Sequence, residues 1–319
     1  MPAQPSHPST GLHPSVDRLE LPLQAALEAL RRRMAALPAA VVAYSGGVDS
    51  ALVAAIAAEQ LGERALAITG ISPALAPHLR QEAQLQAAWM GIHHREMATD
   101  ELSDPAYSSN PAERCYACKR ELHTLLAQVL HAVEDEGLSG AVVLDGVNHD
   151  DLGDHRPGIR AAQERGVVSP LAELGISKAD VRAISRALGF PWWDKPAQPC
   201  LASRFPYGEA ISAPRLQRVA RAEAWLREHG FQELRVRSHG EAARLELPVD
   251  QLSALVQPPL RHRLVEAFLA MGFTAVSLDL EGLVSGKLNR ALAEAEMQRQ
   301  GSTGAKQKPS PGGEGLINA

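Results

Sequence analysis

Short apolar runs alternate with longer amphipathic stretches over the first two-thirds of the chain, the pattern of a parallel sheet covered by helices. The spacing predicts helices over Leu21 to Leu37, Asp49 to Gln60, Pro77 to Met90 and Tyr116 to Glu134. Between them, strands are predicted at Ala39 to Tyr44, Arg64 to Thr69, Ile92 to Met97 and Ala141 to Leu144. Ser177 predicts the N-cap of a further helix running to Leu188, because Asp180 stands in the capping-box position. After the proline-rich stretch Phe190 to Pro214 the pattern changes. Helices are expected at Arg215 to His229, Pro248 to Val256 and Leu260 to Met271, with strands at Glu233 to Ser238, Ala243 to Leu247 and Ala275 to Leu280. This second set reads as a smaller α+β domain.

The expected organisation is a disordered N-terminus over 1–16, an α/β domain over 17–200, an α+β domain for substrate or oligomerisation over 201–297, and a tail over 298–319. The tail is dominated by Gly, Ser, Lys and Pro, a composition that cannot bury a core. With 319 residues, 45% of them hydrophobic, the chain has ample material for two domains. No apolar run approaches the roughly 20 residues of a membrane span, and Met1 to Pro14 has neither the basic start nor the apolar stretch of a secretory signal. A cytoplasmic protein is expected. The net charge of −5 shows no broad basic footprint, so no nucleic-acid partner is expected.

The most informative segment is Ser45-Gly46-Gly47-Val48-Asp49-Ser50, which follows a predicted strand and opens a predicted helix. Two glycines allow a tight turn that exposes backbone N–H groups, Ser45 and Ser50 add hydroxyls, and a helix N-terminus favours negative charge. The guest this predicts is a phosphate. The loop lacks the lysine of the Walker motif and the spacing of the dinucleotide fingerprint.

The chain has three cysteines, Cys115, Cys118 and Cys200. Cys115 and Cys118 lie one turn apart at a predicted helix start, where the helix dipole favours thiolate. Three thiolates suit a [4Fe-4S] cluster with one iron left open. The alternatives from the residues alone are a zinc site completed by a histidine such as His123, a disulfide-persulfide relay, or unrelated buried cysteines.

The Ser45 to Ser50 loop resembles that of the PP-loop ATP pyrophosphatases, which implies the adenine nucleotide alpha hydrolase-like fold: a parallel sheet with helices on both faces. Three further segments are similar to one PP-loop family. They are Asn110-Pro111-Ala112-Glu113-Arg114-Cys115-Tyr116-Ala117-Cys118-Lys119; Asp145-Gly146-Val147-Asn148-His149-Asp150-Asp151 with Arg156-Pro157-Gly158; and Trp193-Asp194-Lys195-Pro196 running into Cys200-Leu201-Ala202-Ser203-Arg204. Together they resemble the LarE family, the ATP-dependent sulfur transferases of nickel-pincer nucleotide biosynthesis, over about Leu21 to Leu280. The resemblance implies adenylylation of the carboxylates of pyridinium-3,5-biscarboxylic acid mononucleotide and their conversion to thiocarboxylates. In one branch of the family the cysteine at the Cys200 position gives up its own sulfur. The other branch carries three cysteines and a [4Fe-4S] cluster, and this chain's cysteines imply that branch, with Cys115, Cys118 and Cys200 as ligands.

Carried over, the resemblance implies that Ser45, Gly46, Gly47, Asp49 and Ser50 hold ATP phosphates, with Asp49 near Mg²⁺, and that Asp145, Gly146 and Asn148 line the ATP and acyl site. Arg235 and Arg237 alternate on a strand and so face one side, where the family uses such a pair for a substrate phosphate. Ser203 and Arg204 are expected to position the acyl group beside Cys200, with Glu223 and Glu246 as weaker candidates for metal or substrate contacts. Lys178, Trp192 and Trp193 are read as structural. Sulfide or a sulfur-donor protein is the expected partner, and the family implies a trimer or hexamer. A tRNA thiolase and a non-catalytic ATP- or zinc-binding regulator are the rival readings; no appended RNA-binding domain is evident. The long loop Thr99 to Asn110 is left without a role.

Overall fold

A computed structural model describes residues 14–133, 138–153, 157–284 and 286–290. The expected tail over 298–319, residues 1–13 of the expected disordered N-terminus, Glu134 and Arg156 lie outside them. Within the expected N-terminal segment Pro14–Arg18 forms a 3-10 turn, and Val16 and Leu19 pack against the core.

The first sheet has strands β1 (Ala40–Ala43), β2 (Ala65–Ile71), β3 (His93–Ala98) and β4 (Val142–Leu144), all parallel, in the order β3-β2-β1-β4. Its central strand β1 is buried along its whole length, as a parallel strand covered on both faces must be. The chain enters at β1, proceeds through β2 and β3 on one side, then returns to place β4 on the other. The strand order therefore reverses beside β1, and the carboxyl ends of β1 and β4 flank the crevice where open α/β sheets take ligands.

One face is covered by α1 (Leu21–Ala35), α2 (Val48–Leu61), α3 (Pro77–Met90) and, later in the chain, α8 (Lys178–Ala187). The other is covered by α5 (Arg114–Val133) and α6 (Pro157–Gln163), through Leu126 and Ala162 against Val41, Leu66 and Val143. The short helix α4 (Pro105–Ser108) sits in the stretch read from sequence as the long loop Thr99 to Asn110, and α7 (Pro170–Glu173) in a connection for which the sequence predicted no element. Both start at a proline, which is pre-set for a first helical turn but too brief in pattern to show periodicity. Ser177 and Asp180 exchange both capping-box hydrogen bonds at the start of α8.

The second sheet is smaller: β5 (Arg235–His239) pairs antiparallel with β6 (Ala242–Glu246), which pairs parallel with β7 (Ala275–Leu278). Helices α9 (Ala213–Glu228), α10 (Leu252–Leu255) and α11 (Pro258–Ala270) accompany it. The expected helix over 248–256 is broken into the 3-10 turn Val249–Gln251 and α10, and the last strand stops at Leu278. The second core is not confined to this domain. Ala74, Ala76, Leu79, Tyr107 and Ala117 from the first join Leu201, Ala202, Phe205, Leu216, Val236 and Phe268 in one apolar cluster. That shared core fixes the segment carrying Cys200 against the first domain. No helix among the described residues is long and apolar enough to cross a membrane.

Candidate active site

The loop after β1 turns through Gly46 in the left-handed region at φ 71°, and a Cβ there would lie 3.2 Å from that of Ala83 on α3. Gly47 is the N-cap of α2, with no side-chain cap, so the N–H groups of the first turn keep their capacity for an anion. The loop is braced from within. Ser45 and Ser50 hydroxyls stand 3.1 Å apart, the Ser45 N–H donates to Ser50 Oγ at 3.3 Å, and Ser50 Oγ donates to the Gly47 carbonyl at 3.1 Å.

The loop after β4 closes over this turn. Gly146 packs so tightly that a Cβ would meet Ser50 N at 2.5 Å and Ser50 Cα at 2.8 Å. Its place in the site is therefore backbone approach. Asn148, buried, donates from Nδ2 to Asp49 Oδ1 at 3.2 Å, while its Oδ1 accepts the N–H groups of Asp150 and Asp151. Asp145, also buried, accepts the Val147 N–H at 3.1 Å. Burial raises its pKa, against the opposing hydrogen bonds from Ser169 and Val147 and the nearby charge of Lys119.

Two lysines complete this half of the site, and sequence reasoning assigned neither to it. Lys178 does more than open α8: its Nζ pairs with Asp49 Oδ2. Lys195 Nζ donates to the Gly46 carbonyl at 3.2 Å and pairs with Glu82 at 2.5 Å. The signal for Lys195 was its place within a quoted family segment. For Lys178 none was local, since capping accounted for the Ser177-Lys178-Ala179-Asp180 run by itself. Trp192 and Trp193 pack against the first core.

The cysteines come from two segments distant in the sequence, one after α4 and one after α8. Cys115 and Cys118 occupy the first turns of α5. Cys200 caps the 3-10 turn Leu201–Arg204, whose Leu201 N–H donates to the Ala74 carbonyl, just past β2, at 2.8 Å. Cys115 and Cys200 are exposed and Cys118 is half-buried. Although Cys115 reaches solvent, the protein crowded around its thiol raises its pKa, as does the neighbouring charge of Cys200. Cys118 is pushed up to about 12 by burial, with Glu101, Cys200 and Cys115 adding to it. The expected preference for thiolate at a helix start is thus opposed by desolvation and by the charge a neighbouring thiolate would carry.

Among the described residues no three Cys, His, Asp or Glu side chains are gathered as a single metal ion would need. His123 is buried with neither ring nitrogen hydrogen-bonded, and burial lowers its pKa to about 3. It does not join the cysteines in a zinc-type group. The three thiols nevertheless act on one another's charge. As a donor set, three cysteine sulfurs suit a cationic group, whose charge would favour their deprotonation.

Beyond Cys200 a buried polar network fixes the next residues. Arg204 donates from Nε to Glu223 at 2.7 Å and from Nη1 to the Pro199 carbonyl and Ser203 Oγ. Glu223 also accepts the Val236 N–H of β5. Burial works against its charged form, but Arg204 holds its carboxyl below the usual range. Ser203 Oγ donates to the Cys200 carbonyl at 2.8 Å. Arg237 forks onto Glu246 at 3.0 and 2.9 Å and donates to the Ser203 carbonyl at 2.6 Å. Arg235 and Arg237 do share a side, but Arg237 is committed to Glu246. Arg235, half-buried, donates to the Val284 carbonyl at 3.3 Å, and burial together with the charges of Arg237 and Arg204 lowers its pKa. Glu223 and Glu246 therefore hold arginines in place.

Lys119 links the two halves electrostatically, since its charge acts on Cys115, Cys118 and Asp145. Gly158 packs against it, where a Cβ would meet the Lys119 side chain at 2.9 Å.

Residues 23–106 match the family model described as asparagine synthase. The chain is 54% identical over 272 residues to the uncharacterized protein slr1717 of Synechocystis, covering 85% of this chain and 100% of that one. It is 34% identical over 276 residues to the pyridinium-3,5-bisthiocarboxylic acid mononucleotide synthase of Lactiplantibacillus plantarum, covering 86% of this chain and 95% of that one. It is also 30% identical over 241 residues to the uncharacterized protein MJ0830 of Methanocaldococcus jannaschii, covering 76% and 89% of the two chains. With a phosphate-type loop at the carboxyl edge of a parallel sheet and a synthase relative matched over nearly its whole length, the chain belongs to the LarE family of PP-loop proteins, ATP-dependent enzymes of sulfur transfer.

Proposed function

We propose that this chain adenylylates the carboxylates of pyridinium-3,5-biscarboxylic acid mononucleotide and converts them to thiocarboxylates, with sulfide held at a [4Fe-4S] cluster on Cys115, Cys118 and Cys200. The observation that carries the reading is that Cys118 and Leu201, the neighbour of Cys200, pack in one apolar cluster, in a chain whose Ser45 to Ser50 loop opens α2 beyond the carboxyl end of β1. A synthase relative makes the same product by its printed name.

A carboxylate resists sulfide because its leaving group would be oxide, and transfer of AMP to one oxygen replaces that with a good leaving group. Pyrophosphate departs in this step. The N–H groups of the Gly46–Gly47 turn and of the start of α2 would hold its oxygens, with Lys178 and Lys195 adding positive charge. Asp49, oriented by Asn148 and Lys178, would hold Mg²⁺, which neutralises phosphate charge. Arg235, with spare donors, is the residue for the substrate phosphate, while Arg204 and Ser203 hold the backbone beside Cys200. Hydrosulfide then forms a bond to the acyl carbon as the bond to AMP breaks, and its proton goes to solvent. Bound to the three thiolates, a cluster would offer one open iron at which sulfide can be stored. Two carboxylates require two rounds.

The test is to mix the anaerobic protein with ATP, Mg²⁺, sulfide and the biscarboxylate, following pyrophosphate and AMP together with the mass of the pyridinium product. One oxygen-for-sulfur exchange per AMP is expected. Pyrophosphate release without thiocarboxylate would refute the transfer.

A further inference from the structure

The loop Thr99 to Asn110 supplies buried polar groups beside the thiols. It folds as the 3-10 turn Glu101–Ser103 and α4, and α4 lies between the cysteine turn of α5 and the Cys200 segment: Tyr107 shares one apolar cluster with Ala117, Leu201, Ala202 and the adjoining Cys118. Asn110 secures the arrangement. It takes the left-handed conformation at φ 57°, donates to the Phe205 and Pro206 carbonyls, and its own carbonyl accepts the Gly208 N–H at 2.8 Å.

Within this frame several polar atoms have no hydrogen-bond partner. They are the Tyr107 hydroxyl, Glu101 Oε2, Asn110 Oδ1, and Arg114 Nε and Nη1, and the four side chains are 2%, 3%, 0% and 4% exposed. One face of the Arg114 guanidinium is covered by the Tyr207 ring at 5.0 Å. Tyr107 packs in the same apolar cluster as Cys118 and Leu201, and Arg114 begins the helix that carries Cys115 and Cys118. Buried donors and acceptors left unmatched in this way are costly, so such a group points to a ligand. The unmatched set is two kinds of donor, one carboxylate oxygen and, on the frame itself, the Asn110 amide oxygen. A hydrosulfide ion is complementary to it: its sulfur accepts from Tyr107 and Arg114, and its single S–H donates to Glu101.

We propose that Tyr107 and Arg114, with Glu101 opposite, form the receiving site for hydrosulfide beside the three thiols, and that the Thr99 to Asn110 loop exists to build it. They are positioning residues for the incoming sulfur. The assignment rests on the sulfur-transfer reading above.

The experiment uses the anaerobically purified protein and titrates it with sodium hydrosulfide, reading the visible spectrum, iron content, ATP affinity and Tm, for wild type, Tyr107→Phe and Arg114→Gln. Tyr107→Phe removes a hydroxyl that bonds nothing in the fold, so Tm, iron and ATP affinity should stay at or above wild type. Its hydrosulfide affinity should fall about tenfold, the worth of one hydrogen bond to an ion, and Arg114→Gln should fall by at least as much. Tyr107→Phe with full iron and unchanged hydrosulfide affinity overturns the assignment, as does loss of its iron, which would make the residue a support for the thiols. Those results leave the transferase reading standing. A wild-type protein without iron and without any hydrosulfide response overturns both.

Discussion

Replacing Gly146 with alanine should disable the nucleotide site while leaving the fold in place. The added Cβ would stand 2.5 Å from Ser50 N, 2.8 Å from Ser50 Cα and 3.0 Å from Asp49 C, all backbone atoms of the first turn of α2. No side chain can swing away to relieve the contact. Restoring an ordinary 3.4 Å separation requires a relative shift of about 0.9 Å between the β4 loop and the turn that holds phosphate. That shift draws Asn148 away from Asp49, a hydrogen bond already at 3.2 Å. Overpacking of this kind costs about 1–3 kcal/mol of stability. A displacement near 1 Å in a positioning element costs about 100-fold in rate. The assay is ATP affinity by calorimetry and substrate-dependent pyrophosphate release, with Gly153→Ala as the control. Gly153 lies in the turn just beyond Asn148 and has nothing within 4 Å of its ideal Cβ, so its variant should stay within about 0.5 kcal/mol and near wild-type rate. Wild-type affinity and rate in Gly146→Ala would refute the reasoning, because the loop would then be free to move without consequence.

Three further outcomes are expected. Lys178→Met should lower pyrophosphate release on the order of 100-fold, as loss of a charge-stabilising group does. Its Tm should barely change, because an ion pair whose side chains are 33% and 20% exposed adds at most about 1 kcal/mol. Glu223→Ala strands Arg204 in the core without its carboxylate and should cost about 3–5 kcal/mol, lowering Tm by roughly 6–20 °C in a thermal melt. His123 predicts a pH effect of defined sign. Its folded pKa of about 3 lies below the ordinary 6.5, so in between the unfolded chain binds a proton that the folded chain refuses. The stability it contributes is complete above pH 6.5 and is lost as pH falls toward 3, at about 1.4 kcal/mol per pH unit. Denaturant midpoints for His123→Leu should therefore fall less steeply than wild type between pH 6.5 and about pH 4.5.

Elements with long periodic patterns were legible in the sequence. The helix at Pro77 to Met90 has the predicted bounds, and the capping box at Ser177 is formed. The α/β class followed from the same alternation. Short elements were hidden because four residues cannot display a helical period. This is why α4 and the 3-10 turn at Leu201–Arg204 went unread, although they place Tyr107 and Cys200. Residue types at the nucleotide loop pointed to phosphate on local chemistry alone. Partnerships across the chain did not show: Lys178 meets Asp49 over 129 residues of separation, and capping explained it equally well in sequence. Arg235-Val236-Arg237 gave the right facing but not the neighbour, since Glu246 enters from β6 and takes Arg237.

The central claim is that this chain moves sulfur through three cysteines acting together, and metal content tests it most directly. Iron, acid-labile sulfide and zinc should be counted in anaerobically purified wild type and in Cys115→Ala, with a visible spectrum of each. About four irons per chain in the wild type, lost in the variant, is the expected result. Zinc in place of iron, or full ATP binding with no metal in either protein, would contradict it and leave Cys200 as a sulfur donor in its own right or a structural residue.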